Sequence, residues 1–133
     1  MLAIKIARPA SHVSHRTSRD SDEGCVVVTG ADDRCVRVWS CSSSSRDRWQ
    51  LLHTLRGHDG RVWAVDAIVS ARARTLVASC GEDGRCCVWN GTGGQMLVDE
   101  NIRGGGGGGD AWALGFDRGG ARVVFACGDG TVR

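Results

Sequence analysis

In this chain an aspartate twice stands six residues before a tryptophan: Asp33 before Trp39, and Asp83 before Trp89. A hydroxyl residue precedes each tryptophan by ten, Thr29 in the first case and Ser79 in the second. Asp83 follows Asp33 by 50 residues, and Asp129 follows Asp83 by 46. The text around the three aspartates shares one design. GCVVVTGADDRCVRVWS (24–40), RTLVASCGEDGRCCVWN (74–90) and ARVVFACGDGTVR (121–133) each run from an apolar stretch through a small, acidic turn into an alternating segment. Self-similarity at such a period marks an array of supersecondary units, none of which can bury its apolar face alone. That limits the fold more than any bulk property does.

The units read as short antiparallel strands. After Gly57-His58, Val62, Ala64 and Asp66 alternate with Trp63, Val65 and Ala67, a period of two that places alternate side chains on opposite faces. The first unit predicts strands near 25–29, 35–39 and 49–55. The second predicts 62–67, 75–79, 85–89 and 95–98, and the third 111–116 and 122–126, with a further strand beginning at Thr131. Asp33-Arg34, Asp83-Gly84 and Asp129-Gly130 stand at the hairpin turns, where Gly84 and Gly130 can adopt a positive φ. The fold class is therefore all-β.

Composition agrees with many turns and few helices. Glycine supplies 20 of 133 residues and proline one, and no stretch is rich in Ala, Glu, Lys and Leu together. The six glycines at 104–109 have no side chain to bury and read as a loop. A phosphate-cradling loop does not fit, because no Lys-Ser/Thr follows. The net charge of +2 argues against a broad nucleic-acid or membrane footprint. The seven cysteines are odd in number and form no Cys-x-x-Cys pair, and most sit in apolar runs. They read as buried thiols of a reducing compartment, and the expected location is cytoplasmic. No apolar stretch approaches the length of a membrane span. Residues 1–19 carry Lys5, Arg8, Arg16 and Arg19 without an acid, so a presequence remains an alternative for that segment.

No catalytic set emerges. His12 and His15 lie in a polar Ser/Arg segment, and His53 lies on an outer-strand run. Asp32-Asp33 and Glu82-Asp83 recur at equivalent positions, which is the pattern of turn chemistry rather than of an acid/base pair. The expectation is a non-enzyme without cofactor or metal. Binding is left to exposed groups near the turns. Arg34, Arg61, Arg85 and Arg103 are candidate contacts for phosphates or for acidic partner loops, against the plainer reading of solvated surface arginines. Trp63 and Trp112 read as core residues, with an aromatic anchor as the alternative.

The Gly57-His58, Thr29 and Ser79, Asp33 and Asp83, and Trp39 and Trp89 positions resemble the WD-repeat family. The resemblance implies a partial β-propeller of about two to three blades of short antiparallel strands, with the ring not closed. Residues 1–23 would be a poorly ordered N-terminal segment. Residues 24–56 would form a partial first blade lacking its inner strand, 57–103 a complete second blade and 104–133 a truncated third. It further implies a structural network of His58, Ser79, Asp83 and Trp89, with Asp83 accepting from the neutral imidazole and Ser79 bridging imidazole to indole. The first blade would keep Thr29, Asp33 and Trp39. The third would keep Asp129, with Phe125 where Ser or Thr belongs.

Within the family, GHDGRVWAV, GEDGRCCVW, the glycine stretch before DAWAL, and CGDGTVR are similar to the WD-repeat accessory subunits of the tRNA ribose 2′-O-methyltransferase that acts at the anticodon wobble position. That implies a non-catalytic partner of a tRNA methyltransferase, and contact with tRNA. The alternatives are a protein scaffold in a ubiquitin-ligase, trafficking or signalling complex, and a non-autonomous fragment of a longer propeller. Open propeller ends leave unpaired strand edges, so self-association is expected.

Overall fold

A computed structural model describes residues 2–7, 25–41, 48–69, 74–102 and 110–133. Their ten strands form three antiparallel sheets that do not close into a barrel. The first sheet has the order β1 (Leu2–Ala7), β2 (Cys25–Ala31), β3 (Cys35–Cys41), β4 (Trp49–Arg56). The second has the order β5 (Val62–Val69), β6 (Thr75–Gly81), β7 (Arg85–Asn90), β8 (Met96–Asn101). The third pairs β9 (Ala111–Phe116) with β10 (Val123–Cys127), and Val132 bridges to Ala126 where a further strand would lie. Each sheet is a blade of a partial propeller.

One expectation is corrected. The first blade does not lack its inner strand, because Leu2–Ala7 pairs with β2 from Leu2 opposite Ala31 to Ala7 opposite Val26. Leu2–Ala7 thus belongs to that blade and not to a separate segment. The expected disorder over the rest of 1–23 falls on residues 8–23, outside the described residues, as do Arg103 and the glycine run. No tight turn links LAIKIA to β2, so the sequence carries no local sign of this pairing. Loop closure costs grow only with the logarithm of length, so a long connection does not forbid pairing.

The turns explain the repeat of aspartates. Asp33, Asp83 and Asp129 each accept, through Oδ1, the backbone N–H two residues on: Cys35 at 3.1 Å, Arg85 at 3.1 Å and Thr131 at 2.9 Å. The next residue takes a positive φ in all three: Arg34 at 67°, Gly84 at 71° and Gly130 at 82°. A left-handed conformation costs a residue with a Cβ about 1–2 kcal/mol, part of which glycine gives back in chain entropy. Arg34→Gly should therefore stabilise the first blade by about 1 kcal/mol, read as a higher urea midpoint at constant m-value. A lowered midpoint would contradict this reading of the turn.

The blades share their cores. Val28, Val36, Val38 and Leu55 of the first blade pack in one cluster with Val62, Val65, Ala67, Val69, Val77, Cys87 and Trp89 of the second. A second cluster joins Cys80, Cys86 and Ile102 to Ala111 of the third blade. Gly30 permits the first junction, since a Cβ there would lie 2.5 Å from Val62 Cγ1 and 2.9 Å from Val65 Cγ1. Polar ties cross the same seams. Phe116 N–H donates to Asp66 Oδ2 at 2.7 Å, and His53 Nε2–H donates to the Thr92 carbonyl at 2.9 Å.

None of the seven cysteines forms a disulfide, and six are buried. Burial pushes the Cys80 and Cys87 thiols up to about 12, and raises Cys86 as well, because a thiolate would lose its hydration there. These thiols should resist iodoacetamide in the folded chain and react on unfolding. Below the ordinary thiol value of 9.0 both states hold the proton and the full stability is present. As pH rises from there toward about 12, the unfolded thiols ionise first and each takes away about 1.4 kcal/mol per pH unit. Urea midpoints at about pH 8 and about pH 10 check this, and equal midpoints would contradict it.

Candidate functional site

The second blade brings His58, Ser79, Asp83 and Trp89 within hydrogen-bond distance of one another. His58 is buried on the turn before β5, Ser79 sits in β6, Asp83 in the β6–β7 turn and Trp89 in β7. The donor order is set by chemistry. The Trp89 indole N–H can only donate, and it meets Ser79 Oγ at 2.9 Å. The Asp83 carboxylate can only accept, and His58 Nδ1–H reaches its Oδ2 at 2.8 Å and its Oδ1 at 3.1 Å. His58 Nε2 accepts the Ser79 hydroxyl proton at 2.8 Å. With a neutral ring every group in the line is satisfied, and Asp59 N–H adds a further bond to Asp83 Oδ2 at 2.9 Å. Gly57 must precede the histidine, because a Cβ there would stand 2.8 Å from Trp89 Cη2.

Among the described residues the other blades hold less of the network. In the first, the Trp39 indole donates to Thr29 Oγ1 at 3.2 Å. Asp33 there pairs with Arg37 Nη2 at 2.6 Å, and the guanidinium holds its carboxyl below the usual carboxylate range. In the third, Thr131 donates to Asp129 from both its N–H and its hydroxyl, while Phe125 packs against the Cys80–Cys86–Ala111 cluster. In these blades Asp33 and Asp129 act on their own turns.

The candidate arginines have different surroundings. Arg85 is committed to its own blade: its guanidinium makes a two-pronged pair with Asp99 and donates to the Gly57 carbonyl at 2.9 Å and to Asp59 at 3.1 Å. Arg85 in turn holds the Asp99 carboxyl below its usual range. Arg61 is 60% exposed and reaches Glu82 only at 3.7 Å. Arg34 is exposed on its turn.

Sequence reasoning missed two features. Asp66 ties the second blade to the third, and its signal was an acid in an otherwise apolar strand. Trp63 and Trp112 stack, with ring centroids 4.4 Å apart and planes 10° from parallel, and Trp112 remains 56% exposed. The expectation that Trp112 is core is corrected. Each tryptophan falls at a register shift, the first between Val62 and Ala64 and the second opposite Ala126/Cys127, so neither has a residue paired across from it. A bulge of this kind re-aims a side chain out of the sheet's alternation.

Among the described residues no group of three or more His, Cys, Asp or Glu side chains could hold a metal ion, and no helix is long and apolar enough to cross a membrane.

The family model described as WD domain, G-beta repeat matches residues 11–40 and 49–90, more than half of the chain. The chain belongs to the WD-repeat family, whose domains are typically non-catalytic scaffolds with a general capacity for protein–protein interaction. It is 32% identical to the protein transport protein SEC13-2 of Candida glabrata, over 71% of this chain and 31% of that protein. It is 40% identical to the ribosome biogenesis protein WDR12 homolog of Chlamydomonas reinhardtii, over 52% of this chain and 16% of that one. It is 33% identical to the tRNA (34-2′-O)-methyltransferase regulator WDR6 of Drosophila melanogaster, over 70% of this chain and 9% of that protein. The chain thus spans less than a third of each relative. Among solved structures, the computationally designed Ika4 protein matches with a TM-score of 0.59 and 31% identity, covering 88% of this chain and 61% of that one.

Proposed function

We propose that the chain is a cytoplasmic, non-catalytic WD-repeat scaffold that supports a tRNA methyltransferase acting at the wobble ribose. The observation that carries this reading is the 33% identity over 70% of the chain to a regulator of that reaction, which reinforces the GHDGRVWAV and GEDGRCCVW text. The blades supply a rigid frame, and the turns near Arg34 and Arg61 supply exposed groups for a partner or for tRNA phosphates. The expected result is a stable complex with the methyltransferase and tRNA binding that weakens steeply with salt. Failure of both a pull-down with the methyltransferase and a filter-binding titration with tRNA would overturn it. Arg61→Ala is the clean variant for the RNA arm, because Arg85 is held by internal pairs and its loss would disturb the blade.

The second reading is a protein scaffold of a transport assembly, favoured by the 32% identity over 71% of the chain to SEC13-2. It expects protein partners alone and no effect of Arg61→Ala on their binding. In either setting the three sheets, which do not close into a ring, make self-association the expected behaviour of the chain, read by size-exclusion chromatography.

A further inference from the structure

We propose that the second and third blades, at the end opposite their aspartate turns, form a docking surface for an RNA phosphate backbone, built on Arg74, Arg118 and Arg122. The inference rests on the RNA half of the functional reading and puts the phosphates at the end away from Arg34 and Arg61.

The two ends of the blades hold their arginines differently. At the end of the aspartate turns, Arg37, Arg61, Arg85 and Arg133 each pair with a carboxylate, so much of the charge there is balanced internally. Antiparallel strands carry the β5–β6 and β9–β10 connections to the other end. Arg74 stands there directly before β6, and Arg118 and Arg122 stand in the β9–β10 connection. All three are exposed, and among the described residues none of their side chains makes an ion pair or a hydrogen bond.

The two connections touch. Gly120 has a φ of 67°, and a Cβ there would lie 3.1 Å from Ile68 Cγ2 and 3.8 Å from Leu76 Cδ1. Ile68 and Leu76 are opposite residues of the β5–β6 pair, so the third-blade turn lies on the closing end of the second-blade hairpin. Arg74 precedes Leu76 by two residues, the spacing that returns a strand to the same face. Asp117 N–H donates to the Arg122 carbonyl at 3.0 Å, which closes the turn between Arg118 and Arg122.

Little negative charge offsets the three guanidiniums. Among the described residues of these two blades, the carboxylates toward this end are those of Asp117 and the mid-strand Asp66. Asp117 Oδ1 is engaged by its own turn, accepting the N–H groups of Ala121 at 2.9 Å and Arg122 at 3.2 Å. Asp66 is buried and accepts from the Phe116 and Ala67 backbone. No large exposed apolar side chain lies in 117–122 or beside Arg74, so nothing here would enter a bilayer. A guanidinium forks onto two phosphate oxygens, and RNA repeats its phosphates along the strand, so separated arginines can be engaged without a pocket. Three contacts are a narrow footprint, in keeping with a net charge of +2.

The test uses the 133-residue chain and three labelled probes: oligouridylate, a Glu/Gly peptide, and vesicles of phosphatidylserine and phosphatidylcholine. Oligouridylate binding, read by fluorescence anisotropy, should have a log–log salt slope of about −2, from three contacts at about 0.7 each. Replacing Arg74, Arg118 and Arg122 together by Gln should flatten the slope and weaken binding at low salt on the order of tenfold or more. Lys at the same three positions should restore the slope, because it restores the charge. Arg61→Ala should change the affinity less than about threefold. An unchanged melting temperature of the Gln variant separates lost contact from lost fold. Absent oligouridylate binding, a slope indifferent to the Gln substitutions, or tighter binding of the acidic peptide or the vesicles overturns the proposal. RNA binding that follows Arg61 and ignores the three arginines removes this surface and leaves the functional reading intact. RNA binding lost in the Gln variant, without any methyltransferase complex, keeps the surface and removes the methyltransferase half of that reading.

Discussion

Asp83→Ala should lower the unfolding free energy by about 3–5 kcal/mol, a large fraction of the stability of an ordinary small domain. The substitution strips partners from His58 Nδ1–H and from the backbone N–H groups of Asp59 and Arg85. Each is a bond to a charged acceptor, worth about 1.5–3 kcal/mol, and the buried histidine is left with a donor that nothing satisfies. Asp33→Ala is the control. Asp33 accepts at the same turn position, but no histidine lies above it among the described residues, and its pair with Arg37 is partly solvated, so the loss should be about 1 kcal/mol. Urea unfolding of the two variants side by side reads the difference. Equal losses would mean that the imidazole adds nothing to the turn bond, and that the four-residue line is geometry without energy.

Trp89→Ala should cost a similar amount, about 3–5 kcal/mol, by another route. The indole is 2% exposed and belongs to the core that the first and second blades share, so its removal opens a cavity at their junction. Trp89→Phe separates volume from hydrogen bonding. It retains most of the ring and loses only the donor to Ser79 Oγ, a loss of about 1–2 kcal/mol. Because Trp89 and Asp83 act through the same serine–histidine line, the double variant should lose less than the two single losses added together. Strict additivity in a double-mutant cycle would show the line to be uncoupled.

Much of the blade architecture was legible because its signals are local. The alternation from Val62 to Ala67 and the short apolar runs that end in Trp39 and Trp89 mark strands, and the aspartate two residues before a strand marks the turn that feeds it. Observed strands depart from the expected bounds by only a residue or two at most ends, as between 85–89 and Arg85–Asn90. The inner strand Leu2–Ala7 was not legible, because its partner lies across a long connection and nothing in LAIKIA specifies β2. Arg85 was read as an exposed contact because sequence gives a residue's charge but not its neighbours. Asp99 and Asp59 are 14 and 26 residues away, and only the β7–β8 pairing and the turn before β5 bring them to the guanidinium.

The spacing of Thr29, Asp33 and Trp39, repeated at Ser79, Asp83 and Trp89, by itself determined the all-β class and the turn positions, and the resemblance to the WD-repeat family that it carries implied the members of the network. Those features depend on contacts within a hairpin, where a period of two and a fixed turn length leave one register available. The tertiary structure alone decided what happens between blades: Gly30 against Val62, Asp66 to the Phe116 backbone, and the indole of Trp112 on that of Trp63. These contacts join residues 32 to 50 positions apart on different sheets. The geometry of the indole pair comes from two bulges and the missing Cβ at Gly128, none of which leaves a periodic trace in the chain.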